Sequence, residues 1–287
     1  MMLGEIFNQA LAEGWSTGHF NFSESDQARA ICEAAKEVGA VAFIGTSEGE
    51  ARHLGYGVAV ALRDAFRAEL GIPIFLNSDH HKSVDSAKRA LEAGYDSIHI
   101  DLSAKSFEEN LAGTKEIVVL ARANDREINV EGELGYLRGD SKIQKEKIEV
   151  KPEDYTDPEK AAEFVKKTGV NRLAIAVGNI HGISLDEPNL DIERIKKIRA
   201  AVPIGVALVL HAGSGIPDNQ IKAAIAAGIA NIHINTDIRL AYAKALRDAL
   251  KETDETTPYK FDVPAREALK TMVKEKLKFF GARIKTG

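Results

Sequence analysis

The chain has 287 residues, 44% hydrophobic, 28% charged and 6% aromatic, the mixture of a sizeable globular domain and not of a disordered or low-complexity polymer. The 38 Lys and Arg face 43 Asp and Glu, a net charge of −5 that lacks the basic excess favouring nucleic-acid phosphates or anionic lipid. The expected partner is therefore a small molecule, with no nucleic acid and no membrane. Apolar runs such as 201–210 fall short of the roughly 20 residues a spanning helix needs, and residues 1–10 carry no leader-like pattern. The single Cys32 sits in a helix-like run and reads as buried packing, so the expected location is cytoplasmic.

Short apolar, β-branched runs recur at 18–22, 41–45, 73–76, 97–101, 128–133, 173–177, 205–210 and 231–235, and each is a strand candidate. Helical periodicity fills 27–38, 83–93, 107–122, 158–168, 191–201, 218–227 and 237–251. Ser25 and Ser83 are candidate N-caps, Pro158 stands at a first helical position, and Gly39, Gly94, Gly169 and Gly228 are stops. Eight βα units in this length predict a closed (β/α)8 TIM barrel, a single domain over 1–287, in preference to an open doubly wound sheet. Two stretches break the rhythm. The polar segment 136–157 is expected to be a mobile active-site loop, and Pro258 and Pro264 lead into an additional C-terminal helix at 264–280.

In such a barrel the chemistry sits at the carboxyl ends of the strands. The residues there are Asn21; Thr46 and Ser47; Asp79, His80 and His81; Asp101 and Ser103; Glu131 and Glu133; Gly178, Asn179 and His181; His211; and Asn235, Thr236 and Asp237. One such histidine alone reads as a hydrogen-bonded strand end. Three on one rim, His80, His181 and His211, suit a three-imidazole metal site with open positions, with Asp101, Glu131 or Glu133 orienting the rings or holding a second cation. His99 and His233 lie within strands, and His99 is expected to pack. The run His211-Ala212-Gly213-Ser214-Gly215 and then Asn235-Thr236-Asp237 offers backbone amides, hydroxyls and a helix start, a phosphate cradle or else an ordinary Gly-rich turn. No lysine falls within the eight runs, Lys82 being the nearest, so a metal Lewis acid is favoured over a Schiff base.

Six segments in order, NSDH at 77–80, SIHIDLS at 97–103, EGELG at 131–135, GNIHG at 178–182, HAGSG at 211–215 and NTDIR at 235–239, resemble the class II, metal-dependent ketose-bisphosphate aldolases over nearly the whole chain. That family includes fructose-bisphosphate and tagatose-bisphosphate aldolases. The resemblance implies a lyase working through a dihydroxyacetone phosphate enediolate, with Zn2+ or another divalent metal and, in addition, a monovalent cation. It implies His80, His181 and His211 as metal ligands, with Asp101 and Glu133 near a second metal position. Asp79 resembles the acid/base acting on the C4 hydroxyl, Gly182, Ser214 and Thr236, beside Asn235, the phosphate site, and Asn21 and Ser47 contacts to the aldehyde half. Family members are dimers or tetramers, so a homo-oligomer acting on a sugar phosphate is expected.

Several positions depart from the family pattern. The family's loop glutamate falls near Asp140 or Ser141, leaving Asp140 and Glu146 as candidate acids. His233 stands where an asparagine contacting substrate is usual, and His81 where glycine is common, as a proton donor or as crowding. Tyr259 replaces an arginine associated with the second phosphate, with Lys260 or Arg52 as compensating cations. The acceptor is thus a phosphorylated or an unphosphorylated aldehyde. Two other readings are a metal-dependent barrel hydrolase, disfavoured because the first strand carries His19-Phe20-Asn21 and no His-x-His pair, and a non-catalytic sugar-phosphate binder.

Overall fold

Runs of Ile, Val, Leu and Ala that are apolar on both faces suit parallel strands covered by helices, and eight of them close into a ring. The computed structural model describes residues 2–183 and 189–283. In chain order the elements are α1 Leu3–Glu13, β1 Thr17–Asn21, α2 Ser25–Val38, β2 Ala42–Ser47, α3 Glu48–Leu54, α4 Tyr56–Leu70, β3 Ile74–His81, α5 Val84–Ala93, β4 Ser97–Ile100, α6 Phe107–Arg122 and β5 Asn129–Leu134. There follow β6 Gly139–Ile143, α7 Pro158–Thr168, β7 Arg172–Ile175, β8 His181–Ile183, α8 Ile192–Ala201, β9 Ala207–Leu210, α9 Asp218–Ala226, β10 Ile229–Ile234, α10 Thr236–Glu252, α11 Pro258–Phe261 and α12 Val263–Phe279. The closed order is β1-β10-β9-β7-β5-β4-β3-β2, every neighbour parallel. The (β/α)8 barrel expected from the sequence is the observed fold.

Local chemistry sets the boundaries. Ser83 caps α5 by accepting from the Ser86 amide, and Asp157 caps α7 with Pro158 in its first turn, each cap stabilising its helix by about 1 kcal/mol. Ser25, however, is the first residue of α2. Its cap is Glu24, whose carboxylate accepts from the Asp26 and Gln27 amides at 2.7 and 2.6 Å, because an anion gains from the positive helix start. The periodicity also left α1, α3 and α4 unassigned; α3 and α4 are separated by Gly55, which interrupts the pattern between them.

The N-terminal end of the barrel is plugged by α1, whose Leu3, Ile6 and Phe7 are buried and whose Phe7 ring meets Phe43 edge-on. At the other end the 136–157 segment is built and not plain coil. Strand β6 pairs with β8, and Arg138 Nε lies 2.5 Å from Asp154 Oδ2. The additional C-terminal helix, α12, buries Ala265, Leu269, Val273 and Leu277 and is tied to α2 by Lys270 with Glu33 and Glu37. Among the described residues no helix is long and apolar enough to cross a membrane.

Candidate active site

Alternation along a regular strand would send Asp79 and His80 to opposite faces. The pairing of β3 with β4 prevents this: Ser78 pairs with Ile98 but His81 with Ile100, so one extra residue bulges on β3. His80 takes up the irregularity at φ 47, a left-handed conformation that side chains other than glycine seldom adopt, and its amide donates to His99 Nδ1 at 3.1 Å. Both Asp79 and His80 thereby line the cavity at the barrel mouth, with Asn21, Ser141, His181, Gly182, His211, Ser214, His233, Asn235 and Thr236. Ala212, next to His211, is the other non-glycine residue with positive φ among the described residues.

The three imidazoles singled out from the sequence converge. The His80 ring centroid is 4.8 Å from that of His181 and 4.4 Å from that of His211. His80 Nδ1 is 3.0 Å from Asp101 Oδ2, whose other oxygen accepts from the Ser103 amide and hydroxyl. Glu133 Oε2 lies 3.5 Å from the same nitrogen. His211 Nε2 meets Glu131 Oε1 at 2.6 Å. Burial, reinforced by the neighbouring His80, pushes His181 down to about 3, which leaves a neutral imidazole with a lone pair to offer. Burial opposes the charge of Asp79, but His80, with His233 and His99 in support, more than reverses this and holds the carboxylate well below its usual range.

A divalent metal fits the donors around His80 and His211. Nitrogen and carboxylate donors of Asp79, His80, His99 and His211, and separately of His80, Asp101 and Glu133, gather within 4.8 Å of one another; His181 belongs to neither group and approaches through the 4.8 Å contact of its ring with that of His80. Glu133 Oε2, buried, faces His99 Nε2 at 3.2 Å and His80 Nδ1 at 3.5 Å without a well-formed hydrogen bond among the described residues, a carboxylate oxygen open to a cation.

Two histidines behave differently from the sequence expectation. His99 does not merely pack: it is fully buried with Nε2 3.2 Å from Glu133 Oε2 and Nδ1 3.7 Å from Asp79 Oδ1. His81 is neither donor nor obstruction at the mouth, because its Nδ1 bonds the Ser86 carbonyl at 2.9 Å beneath the start of α5. His233 lies inside the site, Nδ1 3.1 Å from Asp79 Oδ1 and Nε2 3.0 Å from Asn231 Oδ1, its ring stacked 3.8 Å from His19.

The cradle residues also assemble. Ser214 Oγ accepts from the Asp237 amide at the start of α10, and Thr236, Asn235 and Gly182 line the same cavity. An outer cavity of about 290 Å³ continues from it, walled by Ser47, Glu48, Glu50, Lys82, Asp140 and Arg239. Asp140 is exposed there and paired with Lys142 at 2.8 Å. Glu146 lines neither cavity, and it borders a separate surface hollow formed by 142–148. Tyr259, Lys260 and Arg52 also stand outside both. Tyr259 is 74% exposed, Lys260 pairs with Glu255, and Arg52 pairs with Glu48. The cations at the mouth are Lys82 and Arg239. Glu50, which accepts from Asn21 Nδ2 at 3.0 Å, gives no sequence signal, because nothing in its spacing distinguishes it from a solvated helix start.

Residues 1–285 match the family model for class II fructose-bisphosphate aldolase. The chain belongs to this family. Among relatives of this class II aldolase, the fructose-bisphosphate aldolase of Staphylococcus aureus (strain Mu50) is 38% identical over 281 residues, 96% of each chain. That of Staphylococcus epidermidis is 37% identical over the same length and share. The crystal structure of the YdjI aldolase from Escherichia coli K12 superposes with a TM-score of 0.82 at 32% identity, covering 99% of this chain and 98% of that one. The class II aldolase is thus a carbon–carbon lyase of a sugar-phosphate family.

Proposed function

We propose that the enzyme is zinc-dependent and cleaves or forms a ketose phosphate, fructose 1,6-bisphosphate or a related sugar phosphate, through the enediolate of dihydroxyacetone phosphate. The observation carrying this reading is the convergence of His80, His181 and His211 beside the buried Asp79. A divalent metal on those three imidazoles, zinc or another ion suited to nitrogen donors, would polarise the ketone and stabilise the enediolate charge. Asp101 and Glu133 orient His80 or serve a second cation, a monovalent ion included.

Asp79 takes the C4 hydroxyl proton as the C3–C4 bond breaks, a role supported by its ionised state and its place in the inner cavity. His233 contacts the same substrate carbons or steadies Asp79. Ser214, Thr236, Asn235 and Gly182 hold the phosphate, and Asn21 and Ser47 face the aldehyde half. Asp140 is the loop carboxylate at the mouth and protonates the enediolate when 136–157 moves inward; Glu146 would have to travel further. A homo-oligomer, dimer or tetramer, fits the exposed Leu250, Tyr259 and Val263 near the C-terminal helices. A cytoplasmic site of action fits the buried, unpaired Cys32.

The test begins with dihydroxyacetone phosphate alone in D₂O, following C3 proton exchange by NMR with and without chelator, and continues with cleavage of a panel of ketose phosphates. Exchange lost to chelator and restored by zinc is expected. Zinc-loaded protein that binds dihydroxyacetone phosphate yet neither exchanges it nor cleaves any ketose phosphate would overturn the reading in favour of a binding protein.

A further inference from the structure

The barrel floor holds a charge that the chemistry above leaves unused. Arg172 on β7 is wholly buried, its guanidinium carbon 5.3 and 5.0 Å from the ring centres of Phe7 and Phe43. Nε donates to Asn129 Oδ1 at 2.8 Å, Nη1 to Asn231 Oδ1 at 2.9 Å, and Nη2 to Asn77 Oδ1 at 3.1 Å and to Ser97 Oγ. Nη1 also pairs with Glu131 Oε2 at 2.7 Å. A guanidinium carries five N–H donors and no acceptor, so every neighbour must turn an oxygen toward it.

That one-sidedness propagates upward. Asn231 gives Oδ1 to Arg172, so its Nδ2 points away, where it donates to Thr17 Oγ1 at 2.9 Å. Thr17 agrees, because its own hydroxyl hydrogen goes to the Ala230 carbonyl. The same Asn231 Oδ1 faces His233 Nε2 at 3.0 Å, while the Asp79 carboxylate faces Nδ1 at 3.1 Å; burial keeps this ring neutral, so its one hydrogen is contested by two acceptors and Arg172 does not assign it. Asn77 likewise turns Oδ1 to Arg172 and Ser97 and presents Nδ2 to His19 Nε2 at 3.3 Å, which is therefore bare. His19 Nδ1, left with the hydrogen, is buried without a partner among the described residues. Glu131, paired with the arginine, accepts from His211 Nε2 at 2.6 Å, which frees the Nδ1 lone pair of His211.

We propose that Arg172 is a positioning residue of the aldolase site: through Asn77 and Glu131 it decides which ring nitrogen of His19 and His211 carries hydrogen, and so presents His211 Nδ1 to the metal. The metal half of this statement rests on the functional reading above. A buried ion pair is a weak source of stability. What the arginine supplies here is direction, passed through groups that flank the metal ligands in the way outer-shell partners orient them.

The experiment uses full-length, zinc-loaded protein labelled with ¹⁵N-histidine and read by long-range ¹H–¹⁵N correlation. The unmodified chain is expected to show His211 bound through Nδ1 and protonated at Nε2, and His19 bare at Nε2. Arg172→Lys and the charge-neutral pair Arg172→Met/Glu131→Gln are expected to show mixed tautomers at His19. Their zinc affinity, by chelator competition, should fall about tenfold or more, with kcat lowered more than KM is raised. Zinc bound through His211 Nε2, or a protonated Nε2 on His19, in the unmodified protein overturns the proposal even if no variant folds. A folded double variant with unchanged tautomers, zinc affinity and kcat overturns it as well. If the tautomers are as expected while no ketose phosphate is exchanged or cleaved, the positioning of the imidazoles stands and the functional reading alone fails.

Discussion

Asp79 Oδ1 lies 3.1 Å from His233 Nδ1, while its Oδ2 accepts from Asn21 Nδ2 at 3.0 Å. The carboxylate is thus held at both oxygens, from β10 on one side and β1 on the other, and cannot rotate without losing a partner. Replacing it with asparagine keeps the shape and removes the base. Asp79→Asn is expected to lower kcat for ketose phosphate cleavage by about 10²- to 10⁴-fold, the usual contribution of general base catalysis. Zinc content and KM should stay close to the unmodified values, as steady-state kinetics and metal analysis would show.

Gly45 leaves the space that His19 fills. A Cβ there would collide with the His19 ring, 2.6 Å from Cε1, and sit 3.0 Å from the Asn77 carbonyl oxygen. Gly45→Ala should destabilise the fold by about 1–3 kcal/mol, as overpacking does, and reduce kcat by disturbing the His19–His233 stack. Thermal melts and kcat measured together would check this; an intact melting temperature with full activity would contradict the packing described.

Ser214, placed in the phosphate site by the proposed function, has its Oγ held by the Asp237 amide at the start of α10. A hydrogen bond to a charged group contributes about 1.5–3 kcal/mol, so Ser214→Ala is expected to raise KM for the phosphorylated substrate roughly tenfold or more. The change in kcat should be small, and titration of the binding of dihydroxyacetone phosphate would give the same ratio.

Burial raises Glu50 above the ordinary carboxylate value, against the hydrogen bonds from Asn21 and Ser47 that oppose it. A folded value above the unfolded one means the folded state binds the proton more tightly. That stabilising contribution is complete below the unfolded value and is lost as pH rises through the folded one. Glu50→Gln, which cannot ionise, should therefore melt higher than the unmodified protein at pH 7.5, with the difference shrinking toward pH 4.5.

The barrel was readable because strand and helix signals alternate cleanly, with stops such as Gly169 just before the next strand. The gathering of His80, His181 and His211 at one mouth is legible for a related reason: each follows an apolar run, and the rim of a barrel gathers the ends of its strands. The floor was not. Arg172 opens β7 and looked like a polar residue before the strand, and His99 looked like one more residue inside β4. Their roles depend on inward-facing partners from β3, β4, β5 and β10, 95 residues away in the case of Arg172 and Asn77. The bulge at Asp79 and His80 was equally hidden, since it exists only in the register between two strands. The sequence does not separate Asp140 from Glu146, because Asp140 reaches the outer cavity on β6, whose pairing partner β8 lies far along the chain.

With α1 seated in the opposite end of the barrel, the cavity around Ser214 and the outer cavity beneath Asp140 and Arg239 adjoin, sharing Asp79, His80, Ser141, His181 and Asn235 as lining. On the proposed function, traffic is therefore expected to be ordered: in cleavage the aldehyde leaves before dihydroxyacetone phosphate, and in synthesis dihydroxyacetone phosphate enters first. Product-inhibition patterns would show it, with dihydroxyacetone phosphate competing against the ketose and the aldehyde not.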